Sequence, residues 1–129
     1  MARSRTSAKK AGTAFERQIA DYLNRWVDDR IDRQAKTGAK DIGDITPFRH
    51  MGGKIIIECK NTSRLALADW ADQADIERGN ADGMVGVICH KRHGNARPED
   101  QWITMTLGEF VALITGSRDH YEAWKSEEA

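Results

Sequence analysis

The chain has 129 residues with 20 basic and 20 acidic side chains, so its formal net charge at pH 7 is zero. This length corresponds to one domain and does not accommodate a second catalytic domain. The two cysteines, Cys59 and Cys89, lie in apolar segments and indicate buried thiols in a reducing compartment, not a secreted disulfide framework. The apolar runs are no longer than a strand, and the basic N-terminus lacks the apolar stretch of a signal peptide. We therefore expect a cytoplasmic protein that does not interact with a membrane.

Positive charge is concentrated in the first third of the chain. Residues 1–40 contain ten Lys or Arg and five Asp or Glu, whereas residues 41–90 contain five and eight. This excess predicts a surface that contacts nucleic-acid phosphates. Residues 1–10, which include Lys9 and Lys10, are too poor in apolar side chains to fold alone and predict a basic flexible arm, either frayed or ordered by nucleic acid. A single domain is expected over residues 11–129.

The first predicted element is an amphipathic helix over residues 11–27. Its apolar side chains recur at helical spacing and define one buried stripe: Phe15, Ile19, Tyr22, Leu23 and Trp26. Glu16 lies at the border of that stripe and could lean over the edge of a sheet. The helix therefore offers one carboxylate to a site near the sheet.

A basic loop is predicted between this helix and the first strand. The loop contains Thr37-Gly38-Ala39 and four basic residues, which are Arg30, Arg33, Lys36 and Lys40. Such a loop could follow a phosphate backbone, although a solvated connection has the same composition.

Two antiparallel strands are predicted over residues 41–48 and 55–60, joined by a glycine-containing turn centred near Met51. In that register Asp44 lies opposite Glu58. Side chains alternate along a strand, so Glu58 and Lys60 share the face of Ile56. Two opposed carboxylates are normally destabilising, and a bound cation would remove the penalty. Mg²⁺ suits the site because it prefers carboxylate oxygens and substrate phosphate.

The second half of the chain is predicted to form helices and strands that complete the structural scaffold. A helix is expected from Leu67 to about Asn80 with an N-cap among residues 61–63, strands over residues 83–89 and 101–106, and a helix over residues 107–114 ended by Gly116. This order is an α/β layer arrangement. His90 and His93 are interpreted as a solvated pair, because no other Cys or His completes a zinc set. Gln73 is interpreted as lying off the apolar face of its helix.

The residues at the predicted site resemble the PD-(D/E)xK nuclease superfamily, and within it the archaeal-type Holliday junction resolvases and related phage or RecB-like nucleases. The resemblance covers residues 12–87 and rests on three motifs: Gly12-x-x-x-Glu16-Arg17, Gly43-Asp44-Ile45 and Glu58-Cys59-Lys60. Gly43 stands where the signature has proline, which leaves Asp41 as a less suitable substitute for Asp44.

The resemblance implies a restriction-endonuclease-like α/β core, with a mixed central β-sheet flanked by helices. Glu16, Asp44 and Glu58 would be the acidic residues that hold Mg²⁺ or Mn²⁺, Lys60 would be the catalytic lysine, and Arg17 would contact the DNA backbone. Whether Gln73 or Asp41 assists is open.

The resemblance also implies a substrate. It would be a four-way DNA junction of recombination and repair, cut by a homodimer, with forked or flapped DNA as alternatives. A restriction-type enzyme and a non-catalytic nucleic-acid-binding subunit remain open. The small size would suit a phage-encoded enzyme acting in a bacterial host.

Overall fold

A computed structural model describes residues 4–34, 43–46 and 48–128 of the chain. Within these residues the fold is mixed α/β, with a six-stranded sheet between helices, and it is compatible with the restriction-endonuclease-like core that the sequence predicts. The elements in chain order are α1 (Arg5–Trp26), β1 (Asp32–Arg33), β2 (Ile45–Thr46), β3 (Arg49–His50), β4 (Gly53–Lys60), α2 (Leu67–Asn80), β5 (Val85–His90), a 3₁₀ turn (Pro98–Asp100), β6 (Trp102–Thr104), α3 (Leu107–Thr115) and α4 (Asp119–Glu128).

The first helix is longer than predicted. Ser4 caps it, because the Ser4 hydroxyl accepts a hydrogen bond of 3.2 Å from the Ser7 N–H. Ala, Lys and Arg, which predominate over residues 5–11, are all good helix formers. Residues 5–10 therefore form the first turns of α1 in this structure, at the position where the sequence predicts a basic arm. Lys9 and Lys10 are exposed on this helix.

The predicted hairpin is present, and its strands pair next to Asp44 and Glu58 in the predicted register. Ile45 pairs with Ile57, an antiparallel offset that extends to Asp44 and Glu58. The turn is Met51-Gly52, where both residues have positive φ (51° and 81°), as two-residue hairpin turns require. Beyond Ile45 the register shifts by one residue, since Arg49 pairs with Lys54. Within the range predicted as one strand, 41–48, the described residues contain β2, whereas β3 lies in the connection that was predicted to follow it.

The sheet has the order β1-β2-β4-β5-β6, with β3 pairing beside β4. β4 and β5 are parallel, and the other pairs are antiparallel. β1 was not predicted. It places Arg33 on a strand, whereas the sequence suggested a loop.

The two faces of β4 and β5 pack against different helices. The odd-numbered side chains join α1 and α3 in the main core, for example Ile57 and Val87 against Phe15 and Ala112. On the other face Ile88 packs against Trp70 and Ala74 of α2. Glu58 and Lys60 have even numbers and therefore lie on the α2 side of the sheet.

The remaining predicted elements are found with small differences in their bounds. α2 begins and ends where predicted, but its N-cap is Ala66 without a side-chain hydrogen bond, so the cap predicted over residues 61–63 is not used. α3 ends at Gly116, whose φ of 73° is left-handed, as predicted. α4 is additional. None of the helices in the described part of the chain is both long and apolar enough to cross a membrane.

A buried carboxylate ties the C-terminal helices to the sheet. Glu109 of α3 is only 6% exposed, and its oxygens accept hydrogen bonds from the Gly86 N–H and the Arg118 guanidinium at 3.0 Å, and also from the Tyr121 hydroxyl. The Arg78 Nε lies 3.9 Å away. This network joins β5, α2, α3 and the start of α4.

Candidate active site

Glu58 and Lys60 form the centre of the candidate site at the end of β4. Glu58 is 6% exposed, and its Oε1 lies 3.5 Å from the Lys60 Nζ. Their alternate positions on the strand aim both side chains to the α2 side, as the sequence predicts. The buried strand thus holds a carboxylate and an ammonium group at fixed positions.

Gln73 of α2, whose participation the sequence leaves open, joins these two groups. Its Oε1 accepts a hydrogen bond of 2.8 Å from the Lys60 Nζ, and its Nε2 donates to Glu58 Oε1 at 3.3 Å and to Glu77 Oε1 at 3.2 Å. The buried positions of α2 are Trp70, Ala74 and Glu77, and Gln73 lies one turn from both Trp70 and Glu77, on the side of the helix that faces the sheet.

Asp44 is fixed against the same strand from the neighbouring hairpin segment. It is 3% exposed, its Oδ2 accepts a hydrogen bond of 2.8 Å from the Cys59 N–H, and its own N–H donates to the Ile57 carbonyl at 2.8 Å. Asp44 and Glu58 thus belong to adjoining backbone segments, as predicted.

The local backbone explains why a glycine precedes Asp44. Gly43 has φ of 95°, which proline cannot adopt, and a Cβ placed there would lie 2.7 Å from the Ile56 side chain. The departure from the signature at this position therefore follows from the local backbone and leaves Asp44 in place.

Glu16 lies on α1, and its carboxylate forms an ion pair with Arg33. Its Oε2 accepts hydrogen bonds from Arg33 Nε at 3.2 Å and Nη2 at 3.0 Å. Arg33 pairs with Ile45, the residue after Asp44, so the ion pair lies beside the segment that carries Asp44. Burial, and then the neighbouring charges, raise the pKa of the Cys59 thiol.

The donor set suits a hard divalent cation. Asp44 and Glu58 are buried carboxylates, and Glu58 Oε2 is buried yet accepts no hydrogen bond from any residue that the structure describes. A buried, charged oxygen of this kind normally has a cation or a donor. Among residues 4–34, 43–46 and 48–128, however, no three His, Cys, Asp or Glu side chains are arranged to hold a metal ion. Asp44 and Glu58 have the chemistry to bind such an ion, whereas Glu16 forms an ion pair with Arg33.

The predicted DNA-contacting residues divide into three sets. Arg17 is paired with Asp32 and, at 3.4 Å, with Asp21, and Arg30 is paired with Asp28 at 2.7 Å. Arg33 is paired with Glu16 as described. Lys9 and Lys10 are exposed on α1, and Lys36, Lys40 and Asp41 lie outside the described residues.

A cleft of about 610 Å³ lies between α1 and β1, beside Glu16. Three of the predicted basic residues line it: Lys9, Arg17 and Arg33. The cleft therefore brings these basic side chains beside Glu16, and Asp32 lines it as well.

His90 lies beside Lys60 in the parallel register and is buried, which corrects the solvated pair predicted from the sequence. Its Nε2 is 2.7 Å from Thr104 Oγ1, and its ring packs against Trp70. His93 is exposed and contacts the Thr62 carbonyl.

We expect His90 to make folding stability depend on pH. Burial lowers the pKa of His90, so its contribution is complete above the ordinary value near 6.5 and is lost as pH falls through the lowered value in the folded state. The free energy of unfolding, measured with denaturant at a series of pH values, should fall below about pH 6.5. His90→Gln should remove this part of the pH dependence, and the exposed His93→Gln should leave it. An unchanged profile in His90→Gln would contradict the assignment.

The helix α1, the hairpin and the Glu-x-Lys strand together define the class of PD-(D/E)xK nucleases. A family model described as "Phage putative PDDEXK endonuclease" matches residues 7–112, which is most of the chain. The chain belongs to this family of phage PD-(D/E)xK endonucleases. Nucleases of this class in general use divalent metal ions. Searches of curated proteins and of solved structures gave no match.

Proposed function

We propose that this chain is a divalent-metal-dependent endodeoxyribonuclease that hydrolyses phosphodiester bonds in branched DNA, in the manner of a Holliday junction resolvase. The observation that carries the metal-dependent part is that two buried carboxylates, Asp44 and Glu58, lie on adjoining segments with the half-buried Lys60 beside Glu58, in a member of a nuclease family. The bare Glu58 Oε2 supports a cation at this point.

Asp44 and Glu58 would hold one or two Mg²⁺ or Mn²⁺ ions, with Glu16 as a third carboxylate. When bound, the metal lowers the pKa of a water molecule and stabilises charge on the scissile phosphate. The backbone N–H of Cys59 fixes Asp44, and the buried strand fixes Glu58, so neither carboxylate needs to reorganise.

Lys60 would be the catalytic lysine. Its ammonium group orients the attacking water or balances the negative charge that develops on the phosphate. Gln73 holds the Lys60 Nζ beside Glu58 and so acts as a positioning residue for both groups.

Gln73→Met should lower the cleavage rate about 10- to 100-fold, the usual cost of losing a group that orients reacting residues. Methionine has similar length, so α2 should still pack on the sheet. The turnover number and the affinity for labelled DNA are measured separately, and we expect only the first to fall. The matched control is Asp72→Asn on the exposed side of α2. Equal rates in Gln73→Met and wild type would contradict the role of Gln73.

DNA phosphates would follow the cleft between α1 and β1. Lys9, Lys10, Arg17 and Arg33 would contact them, and Arg30 would extend this path. Lys36 and Lys40 stay predicted DNA contacts from the sequence alone. The acidic partners of Arg17, Arg30 and Arg33 make these contacts exchangeable, since a phosphate competes with Asp or Glu for the guanidinium.

We further propose that the enzyme acts as a homodimer on phage DNA in the cytoplasm of the bacterial host. Each chain brings one candidate site, and symmetric cutting of a junction requires two sites related by a two-fold axis. Light scattering at working concentration would measure the mass.

The test of the substrate is cleavage of labelled four-way, forked, flapped and linear DNA side by side with Mg²⁺ or Mn²⁺. The proposal predicts faster cutting of branched than of linear DNA, with the four-way junction first. Equal or faster cutting of linear DNA would overturn selectivity for branches, and cutting at one sequence would instead indicate a restriction-type enzyme. Binding without cutting would favour the non-catalytic subunit.

A further inference from the structure

The ion pair between Glu16 and Arg33 connects the candidate metal site to the candidate DNA path. Both Nε and Nη2 of Arg33 donate to the same oxygen, Glu16 Oε2. The Glu16 side chain is 18% exposed and that of Arg33 is 36% exposed. The carboxylate is thus mostly enclosed, while the guanidinium remains open to solvent.

Arg33 also lines the cleft between α1 and β1, together with Lys9 and Arg17. A phosphate in this cleft could reach the exposed side of the guanidinium. Arginine binds phosphate at least as well as carboxylate, because its planar group offers two parallel donors to either. A phosphate in the cleft would therefore compete with Glu16 for Arg33.

A metal ion and Arg33 would compete for Glu16, because both are cations attracted to its carboxylate and they repel each other at close range. The other two carboxylates, Asp44 and Glu58, are fixed by the Cys59 N–H and by Gln73 with Lys60. In the described residues no complete set of three ligands is present, and Glu16 is the carboxylate that an arginine holds. Arg33 therefore occupies the position of a counter-cation for Glu16.

We infer that Arg33 is a positioning residue that withholds Glu16 from the metal until a DNA phosphate takes Arg33. This inference rests on the proposed function. It makes metal and DNA binding mutually reinforcing, because each ligand releases one partner of the same ion pair. The metal site is then completed on the substrate and remains incomplete without it.

The first experiment measures Mn²⁺ affinity by calorimetry without DNA, for wild type, Arg33→Gln, Glu16→Gln and the double variant. A partly exposed ion pair predicts that Arg33→Gln binds Mn²⁺ about two- to fivefold more tightly than wild type. Arg97→Gln is the matched control, because it removes the same charge from an exposed arginine that pairs with Glu99. Its affinity for Mn²⁺ should equal that of wild type.

The double variant distinguishes an effect of Arg33 that acts through Glu16 from a general effect of removing one positive charge. If Arg33 acts through Glu16, the gain from Arg33→Gln disappears in the Glu16→Gln background. A gain that persists there, or that Arg97→Gln reproduces, would overturn the inference. Arg33→Lys keeps the charge and loses one of the two hydrogen bonds, so it should give an intermediate affinity and provides a milder variant if Arg33→Gln is unstable.

The second experiment uses the same four proteins with labelled four-way DNA in chelator, where binding is read by fluorescence anisotropy without cutting. Glu16→Gln should bind DNA about two- to fivefold more tightly than wild type, and this gain should be absent in the Arg33→Gln background. Equal affinities in Glu16→Gln and wild type would overturn the inference. If neither wild type nor Arg33→Gln binds Mn²⁺, the proposed metal site fails as well, whereas Mn²⁺ binding that Arg33→Gln does not change rejects only the role of Arg33.

Discussion

Glu58→Gln is expected to abolish DNA cleavage while leaving DNA binding largely intact. Glutamine has the shape of glutamate but lacks the charge that a divalent cation requires, and Glu58 is the buried carboxylate with a bare oxygen. Losing one such group from a preorganised site costs at least about 10²- to 10³-fold in rate. Single-turnover cleavage of labelled branched DNA measures the rate, and anisotropy measures the affinity.

Two comparisons make this result specific. Asp72→Asn removes a carboxylate from the exposed side of α2 and should cut at the wild-type rate. Circular dichroism should show that Glu58→Gln keeps its fold. Cleavage at the wild-type rate by folded Glu58→Gln would remove Glu58 from the metal site.

Glu109→Gln is expected to lower the free energy of unfolding by about 3 kcal/mol, because it leaves Arg118 and Arg78 without their buried counter-charge. Burial works to raise the pKa of Glu109, but hydrogen bonds from Arg118, Tyr121 and the Gly86 N–H outweigh it and hold this pKa below the ordinary 4.5. The stabilisation is therefore complete above pH 4.5 and is lost as pH falls below it.

Urea unfolding at pH 7 and at pH 4 measures this contribution. Glu99→Gln is the matched control, because its partner Arg97 is 70% exposed and surface pairs contribute about 1 kcal/mol or less. The deficit of Glu109→Gln relative to wild type should be larger at pH 7. A deficit no larger than that of Glu99→Gln would show that the network does not anchor the C-terminal helices.

The hairpin that carries Asp44 and Glu58 could be predicted because its signals are local. A glycine-containing turn indicates the hairpin, and the period of two along the strand sorts its side chains between the two faces. The turn alone does not fix the register at the site, because the pairing of Arg49 with Lys54 is one residue out of step with that of Ile45 and Ile57. The predicted offset between Asp44 and Glu58 is the one that Ile45 and Ile57 adopt. The helix α2 and the end of α3 were likewise predictable from periodicity and from Gly116.

Contacts between distant segments could not be predicted in the same way. Gln73 contacts Glu58 and Lys60 only because α2 lies on the even-numbered face of β4, and periodicity does not state which face a helix covers. The pairing of Glu16 with Arg33 depends on β1, a strand of two residues with no sequence pattern. His90 was expected in a loop because the predicted strand stopped one residue too early.

Metal-dependent DNA cleavage at Asp44 and Glu58 is tested by incubating a labelled four-way junction with the wild-type protein, first in chelator and then after addition of Mg²⁺ or Mn²⁺. We expect no product in chelator, product once metal is added, and loss of that activity when chelator is restored. Product formed in chelator would contradict a metal-dependent site at Asp44 and Glu58, and the absence of product with either metal would contradict the proposed nuclease activity on this substrate.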